Sequence, residues 1–184
     1  MQDKGLYDSF AAKVASVNGE CYLAADRKEL LTLITEALQK RKADKVALFP
    51  SPLLTEAGVP AALTEGGYEV IIDDLRRRIP QAGVGITEAQ WGIAELGTLV
   101  QYAPEVDNRL CSTLVDTHIA LLKSSAILPE LDDALAAIAS VGALPNYVGF
   151  ITGPSRSSDI ERVLTVGVHG PIELVIIVVD EGGR

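Results

Sequence analysis

The sequence predicts an α/β protein: a three-layer arrangement with a mixed, mostly parallel sheet and helices on both of its faces. Three observations predict it. Short apolar, β-rich runs alternate with segments whose apolar residues recur at helical spacing, and such alternation implies a largely parallel sheet covered on both sides. Hydrophobic residues make up 48% of the chain and aromatics 5%, so the core must be aliphatic, as in layered α/β proteins. At 184 residues the chain is long enough to bury such a core as one domain, residues 1–184, without metal or disulfide support.

Element by element, residues 1–20 read as an amphipathic helix, with Leu6, Phe10, Val14 and Val17 on one face. Residues 20–24 read as a short strand. Asp26 and Arg27 lead into a helix whose stripe is Leu30, Leu33, Ile34 and Leu38. A buried strand is expected at 45–49, ending at Pro50-Ser51-Pro52, with a short helix after it, then a strand at 68–72. Residues 73–80 are charged, with Arg76, Arg77 and Arg78 in a row, and read as a solvated helix or turn. Further strands are expected at 84–87, 98–102, 118–123, 147–152 and 174–180, and helices at 88–95 and 131–139. The strands beginning at Val84, Thr98 and His118 follow one another closely, which suggests an antiparallel or mixed portion.

The formal net charge of −9 argues against nucleic acid and against anionic membrane surfaces. A small anionic ligand remains compatible, because a local basic pocket outweighs a distant acidic surface. No apolar run is long enough to cross a bilayer. Residues 1–10 carry Asp3, Lys4 and Asp8 and lack an apolar signal core, so no membrane insertion and a cytoplasmic location are expected. Cys21 and Cys111 are isolated and cannot supply the four ligands that an iron–sulfur cluster usually takes. Two distant histidines and scattered carboxylates give no metal set, and neither a dinucleotide fingerprint nor a P-loop is present. No cofactor bound by this chain is expected.

The most informative run is Ile151-Thr152-Gly153-Pro154-Ser155-Arg156-Ser157-Ser158-Asp159-Ile160-Glu161, closed by Gly167-Val168-His169-Gly170-Pro171. Residues 147–152 read as a buried strand. After it, Ile160, Val163 and Leu164 repeat at helical spacing behind the N-cap residues Ser157, Ser158 and Asp159. Strand, glycine turn and helix start leave unpaired N–H groups at one point; the helix dipole adds partial positive charge there and Arg156 a full one. That order makes an anion pocket, although Ser and Asp begin many helices simply as caps. About nine helical residues between Ser158 and Gly167 would rise roughly 13 Å, so a straight helix would keep the Ser155 and His169 ends apart.

These residues carry a family resemblance. Gly153-Pro154-Ser155-Arg156, Asp159-Ile160-Glu161 and Gly167-Val168-His169-Gly170-Pro171 resemble the C-terminal signature of the LUD domain, the lactate-utilization protein C family. A second block agrees: Gly85-Ile86-Thr87, Gly92-Ile93-Ala94-Glu95 and Gly97-Thr98-Leu99-Val100. Arg109 with His118-Ile119-Ala120 is a third, shorter piece. The matching portion runs from about residue 83 to 184. The chain departs from the family pattern at Leu96, where Thr or Ser is usual, and over residues 114–117, where prolines are usual. The resemblance implies a fold shared with sugar-isomerase, CoA-transferase and formyltetrahydrofolate cyclo-ligase domains. It also implies work alongside separate iron–sulfur oxidoreductase subunits that oxidise lactate to pyruvate.

Two residues are candidates for catalysis. Glu95 stands at a glycine-flanked junction before Gly97 and Thr98, where a carboxylate is placed to act as base or nucleophile. His169 sits in a glycine loop, placed to donate to an anion or shuttle a proton. Ligand contacts are expected from Gly85, Thr87, Gly97, Thr98, Gly153, Ser155, Arg156 and Ser157. Glu88 reads better as a helix start, Trp91 as core or interface, and His118 as a structural histidine. Besides the lactate system, two other functions remain open: an independent transferase or ligase acting on CoA esters, sugar phosphates or folates, and an anion-binding sensor.

Overall fold

The computed structural model describes residues 4–143, 145–157, 165–166 and 169–181. In chain order these form α1 (Lys4–Ser16), β1 (Glu20–Ala24), α2 (Arg27–Lys40), β2 (Lys45–Leu48), α3 (Pro52–Glu56), α4 (Val59–Glu65) and β3 (Glu69–Ile71). There follow α5 (Leu75–Arg78), β4 (Val84–Glu88), β5 (Trp91–Ile93), β6 (Thr98–Tyr102), α6 (Val106–Thr113) and β7 (Thr117–Lys123). The chain continues with β8 (Ile127–Leu128), α7 (Leu131–Ser140), β9 (Val148–Thr152), β10 (Arg156–Ser157), β11 (Thr165–Val166) and β12 (Glu173–Val179).

The fold is α/β. The main sheet has six parallel strands in the order β1-β12-β7-β4-β2-β3. Its inner strands are apolar almost throughout, as strands buried on both faces must be. β12 reads Glu-Leu-Val-Ile-Ile-Val-Val and buries its five central residues. Successive side chains point to opposite faces, so each strand supplies two cores. Val84, Ile86, Ile119, Leu121, Val175 and Ile177 meet Leu30, Ile34 and Leu38 of α2 and Leu53, Leu54, Val59 and Leu63 of α3 and α4. On the other face Ala120, Leu122, Ile176 and Val178 meet Phe10 and Val14 of α1 and Leu99 of β6. Farther along that face, Leu75 and Cys111 of α5 and α6 cover Ala47 and Ile71. Helix α2 begins as the sequence says it should, with the Asp26 carboxylate accepting from the Glu29 N–H at 2.8 Å.

A second, mixed sheet of four strands, β8-β5-β6-β9, lies on the α1 side. It accounts for the close succession of strands, and it corrects the helix expected at 88–95. β4 continues through Glu88, and after Ala89 and Gln90 the chain enters β5. The Ala89 N–H donates to Leu121 O and the Gln90 N–H to Val100 O, both at 2.9 Å, so the segment is tied to two sheets and cannot coil. Glu88 therefore ends a strand; its carboxylate accepts from the Leu53 N–H of α3 at 3.1 Å.

Three further expectations change. α4 and α6 are additional helices. β9 is an edge strand of the second sheet, with Phe150 47% exposed, not a buried one. Arg156 and Ser157 form a strand, pairing antiparallel with Val166 and Thr165, where a helix cap was expected. The helix expected around residues 160–164 lies outside the described residues. Among the described residues no helix is long and apolar enough to cross a membrane.

Candidate functional site

Strand β6 carries the residue around which the site is built. Val100 and Tyr102 pack with Trp91, Ala134 and Ile138 under α7, so alternation turns Leu99 and Gln101 toward the main sheet. Leu99 joins the apolar cluster there. Gln101 is 2% exposed, and a buried amide needs partners. Its Nε2 donates to Thr87 Oγ1 at 2.9 Å and to Asn108 Oδ1 at 3.0 Å. Asn108 Nδ2 in turn donates to Tyr102 O at 3.1 Å, and Thr87 Oγ1 lies 2.8 Å from His118 Nε2. Four buried polar side chains from β4, β6, α6 and β7 thus form one hydrogen-bonded chain. Burial holds the His118 imidazole down at about 4, so it is neutral at pH 7.

Gln101 also lines a cavity of about 620 Å³, together with Ser112, Thr113, Tyr147, the whole of β9, Gly153, Pro154, Ser155, His169, Gly170 and Pro171. That volume lies in the range of small-molecule sites. The cavity sits where β7 and β12 begin. Open α/β sheets more often gather ligands at the opposite edge, where a smaller cavity of about 260 Å³ is lined by Ser51, Glu88, Gln90 and Asn108. Beside the larger cavity, the Arg109 guanidinium lies 4.9 Å from the centre of the Tyr147 ring while Nη1 donates to Ala103 O at 2.9 Å. Among the described residues Arg109 makes no ion pair, so it adds positive charge to this wall.

The two C-terminal motifs meet here. The Ser155 N–H donates to Pro171 O at 2.8 Å, and the Gly170 backbone packs against the Ser155 side chain. Ser155 and His169 therefore line one cavity. The ladder that pairs Ser157 with Thr165 folds the chain back, which a straight helix would not. Arg156 and Ser157 directly follow the lining Ser155.

The other predicted residues are placed differently. Thr87 belongs to the buried chain beneath the cavity. Thr98 is buried and shares a 2.7 Å hydrogen bond with Thr152 across the strand pair. Gly85 faces α6: a Cβ there would stand 1.9 Å from Cys111 O. Gly97 (φ +64°) and Gly153 (φ +69°) face α1 and the turn after it, where a Cβ would lie 2.6 Å from Val14 N and 2.4 Å from Val17 O. The three glycines thus meet other parts of the chain. Glu95 is exposed in the turn between β5 and β6, and its Oε1 accepts from the Leu131 N–H at 2.8 Å, capping α7. It does not line the cavity.

Sequence reasoning missed Gln101, Ser112, Thr113 and Tyr147. One signal was available for Gln101: it shares the inward register of Leu99 in a strand, where an apolar residue is expected. Among the described residues no group of three or more His, Cys, Asp or Glu side chains is placed to hold a metal ion. Burial pushes the thiols of Cys21 and Cys111 up to about 12, so neither is a ready nucleophile.

A family model described as the LUD domain matches residues 7–179. Lactate utilization protein C of Geobacillus sp. is 32% identical over 190 aligned positions, covering 96% of this chain and 78% of that protein. The protein of the same name from Halalkalibacterium halodurans is 33% identical over 156 positions, covering 80% of this chain and 68% of the relative. The Bacillus licheniformis protein is 38% identical over 113 positions, and that match spans 47% of its length, so against this relative the chain matches about half. A crystal structure of a DUF162 family protein from Deinococcus radiodurans superposes with a TM-score of 0.70 at 22% identity, covering 95% of this chain and 96% of that one. That likeness shows a shared fold. Since the family model spans nearly all of it, the chain belongs to the LUD domain family.

Proposed function

We propose that this chain is a lactate utilization protein, acting as a subunit or accessory of an iron–sulfur system that oxidises lactate to pyruvate. The observation that carries this reading is the 32% identity to a lactate utilization protein C across 96% of the chain. The site proposed for the small anion is the cavity lined by Gln101, Ser155 and His169. Arg156, next after Ser155, is proposed as the charged arm, since guanidinium grips a carboxylate bidentately. His169 is the proposed proton carrier. Glu95 is left out of this role because its carboxylate is engaged by α7.

Oxidation of lactate to pyruvate releases two electrons. The two cysteines of this chain sit on β1 and α6, and a cluster usually takes four thiolates. The reading therefore assigns the electrons to partner subunits. The test has a genetic and a biochemical arm. A strain lacking this chain is expected to lose growth on lactate, keep growth on pyruvate, and recover when the chain is restored. The isolated chain should show no visible absorption band, whereas its complex with the partner subunits should carry iron and bleach a redox dye when lactate is added. Undiminished growth on lactate, or stoichiometric iron on the isolated chain, would contradict the reading.

A further inference from the structure

We propose that Gln101 is the specificity residue of the cavity and that it selects ligands offering a hydroxyl, so the site favours a hydroxylated organic anion over its oxo or deoxy counterpart. The inference rests on the reading that this cavity is the ligand site, and it concerns which ligand the site accepts.

A series of forced hydrogen-bond directions leads to it. The Tyr102 carbonyl only accepts, so Asn108 must turn Nδ2 toward it. That leaves Asn108 Oδ1 facing Gln101, which must then present Nε2. The same Nε2 donates to Thr87 Oγ1, so both of its hydrogens are engaged. Thr87, accepting from Gln101, also shares a 2.8 Å hydrogen bond with His118 Nε2. Rotating the Gln101 amide by half a turn would set Oε1 against Asn108 Oδ1, two acceptors facing each other. The amide is therefore locked from behind, through Asn108, by the Tyr102 backbone carbonyl.

What the lock leaves over is Gln101 Oε1, which has no hydrogen-bond partner among the described residues. The fully enclosed side-chain atoms lacking a partner there are Tyr102 Oη and His118 Nδ1. Gln101 Oε1 is not one of them, so on a cavity-lining residue that is 2% exposed it opens into the cavity. The neighbouring hydroxyls have their protons engaged as well: Ser112 Oγ donates to Arg109 O at 3.1 Å and Thr113 Oγ1 to the same oxygen at 2.6 Å. At this point of the lining the side chains of Gln101, Ser112 and Thr113 offer acceptors only. A ligand that fills it must bring a donor, and a hydroxyl is the donor an organic anion carries. A 2-hydroxy acid and a phosphorylated polyol share that chemistry. An oxo acid such as pyruvate would oppose acceptor to acceptor, so the same wall expels the oxidised product.

Calorimetric titration with matched ligands tests this: lactate against propionate and pyruvate, and glycerol 3-phosphate against propyl phosphate. In the intact protein the hydroxylated member of at least one set should bind about ten- to a hundredfold tighter, the effect of leaving one buried acceptor unpaired. The set that shows the preference identifies the anion. In Gln101→Met the preference should shrink to within about threefold while affinity for the deoxy ligand stays. Should that variant fail to fold, Gln101→Met/Asn108→Leu removes both amides together and serves in its place. Equal binding within each set by the intact protein overturns the role of Gln101 and leaves the cavity as the ligand site. Binding of none of the five overturns both.

Discussion

Gly85→Ala is expected to destabilise the protein by about 3 kcal/mol or more, the upper range for overpacking. An added Cβ would stand 1.9 Å from Cys111 O and 2.9 Å from Cys111 C. Those are backbone atoms of α6, which cannot step aside as a side-chain tip does. The whole helix must lift, carrying Asn108 and Ser112 away from Gln101. In a domain of this size the melting temperature should fall by roughly 10 °C. Gly83→Ala is the control, because nothing lies within 4 Å of a Cβ there. If Gly85→Ala melts with the parent and only ligand affinity drops, Gly85 approaches a ligand and not α6.

Stability should also fall by about 3 kcal/mol between pH 6.5 and pH 4 on account of His118 alone. Burial lowers its pKa from 6.5 to about 4. In that window the unfolded chain binds a proton that the folded chain refuses, so acid favours unfolding. The contribution is complete above pH 6.5, declines as pH falls, and levels off below about 4. The arrangement offers no place for the charge: Nε2 is occupied by Thr87 and Nδ1 is enclosed without a partner among the described residues. Urea unfolding of the parent and of His118→Gln across this range separates the histidine from the carboxylates, which both proteins share. The difference between the two curves should slope by about 1.4 kcal/mol per pH unit between the two pKa values. Parallel curves would contradict a buried neutral histidine.

The sequence made the main sheet legible because strands buried on both faces are apolar without interruption, as in β7 and β12. It also brought out the motifs at 153–156 and 167–171. The hairpin into β5 was hidden because Glu88–Glu95 has helix-forming composition, and pairing with β6 and β8 overrode local preference. Helix α6 was hidden for the opposite reason. Its buried residues are Asn108, Cys111 and Ser112, so it shows no apolar stripe. The glycines misled in a consistent way: a missing side chain announces a close approach without saying what approaches. At Gly85, Gly97 and Gly153 another part of the chain does.

The cavity's place in this account is tested most directly by mapping amide NMR shifts as lactate is added to the isotope-labelled protein. Shifts should move at Gln101, Ser112, Thr113, Thr152, Gly153 and Ser155 and around His169 and Gly170, with Glu95 and Leu131 unchanged. Movement confined to Glu95–Gly97, or to Ser51, Glu88 and Gln90 at the opposite edge of the sheet, would contradict it.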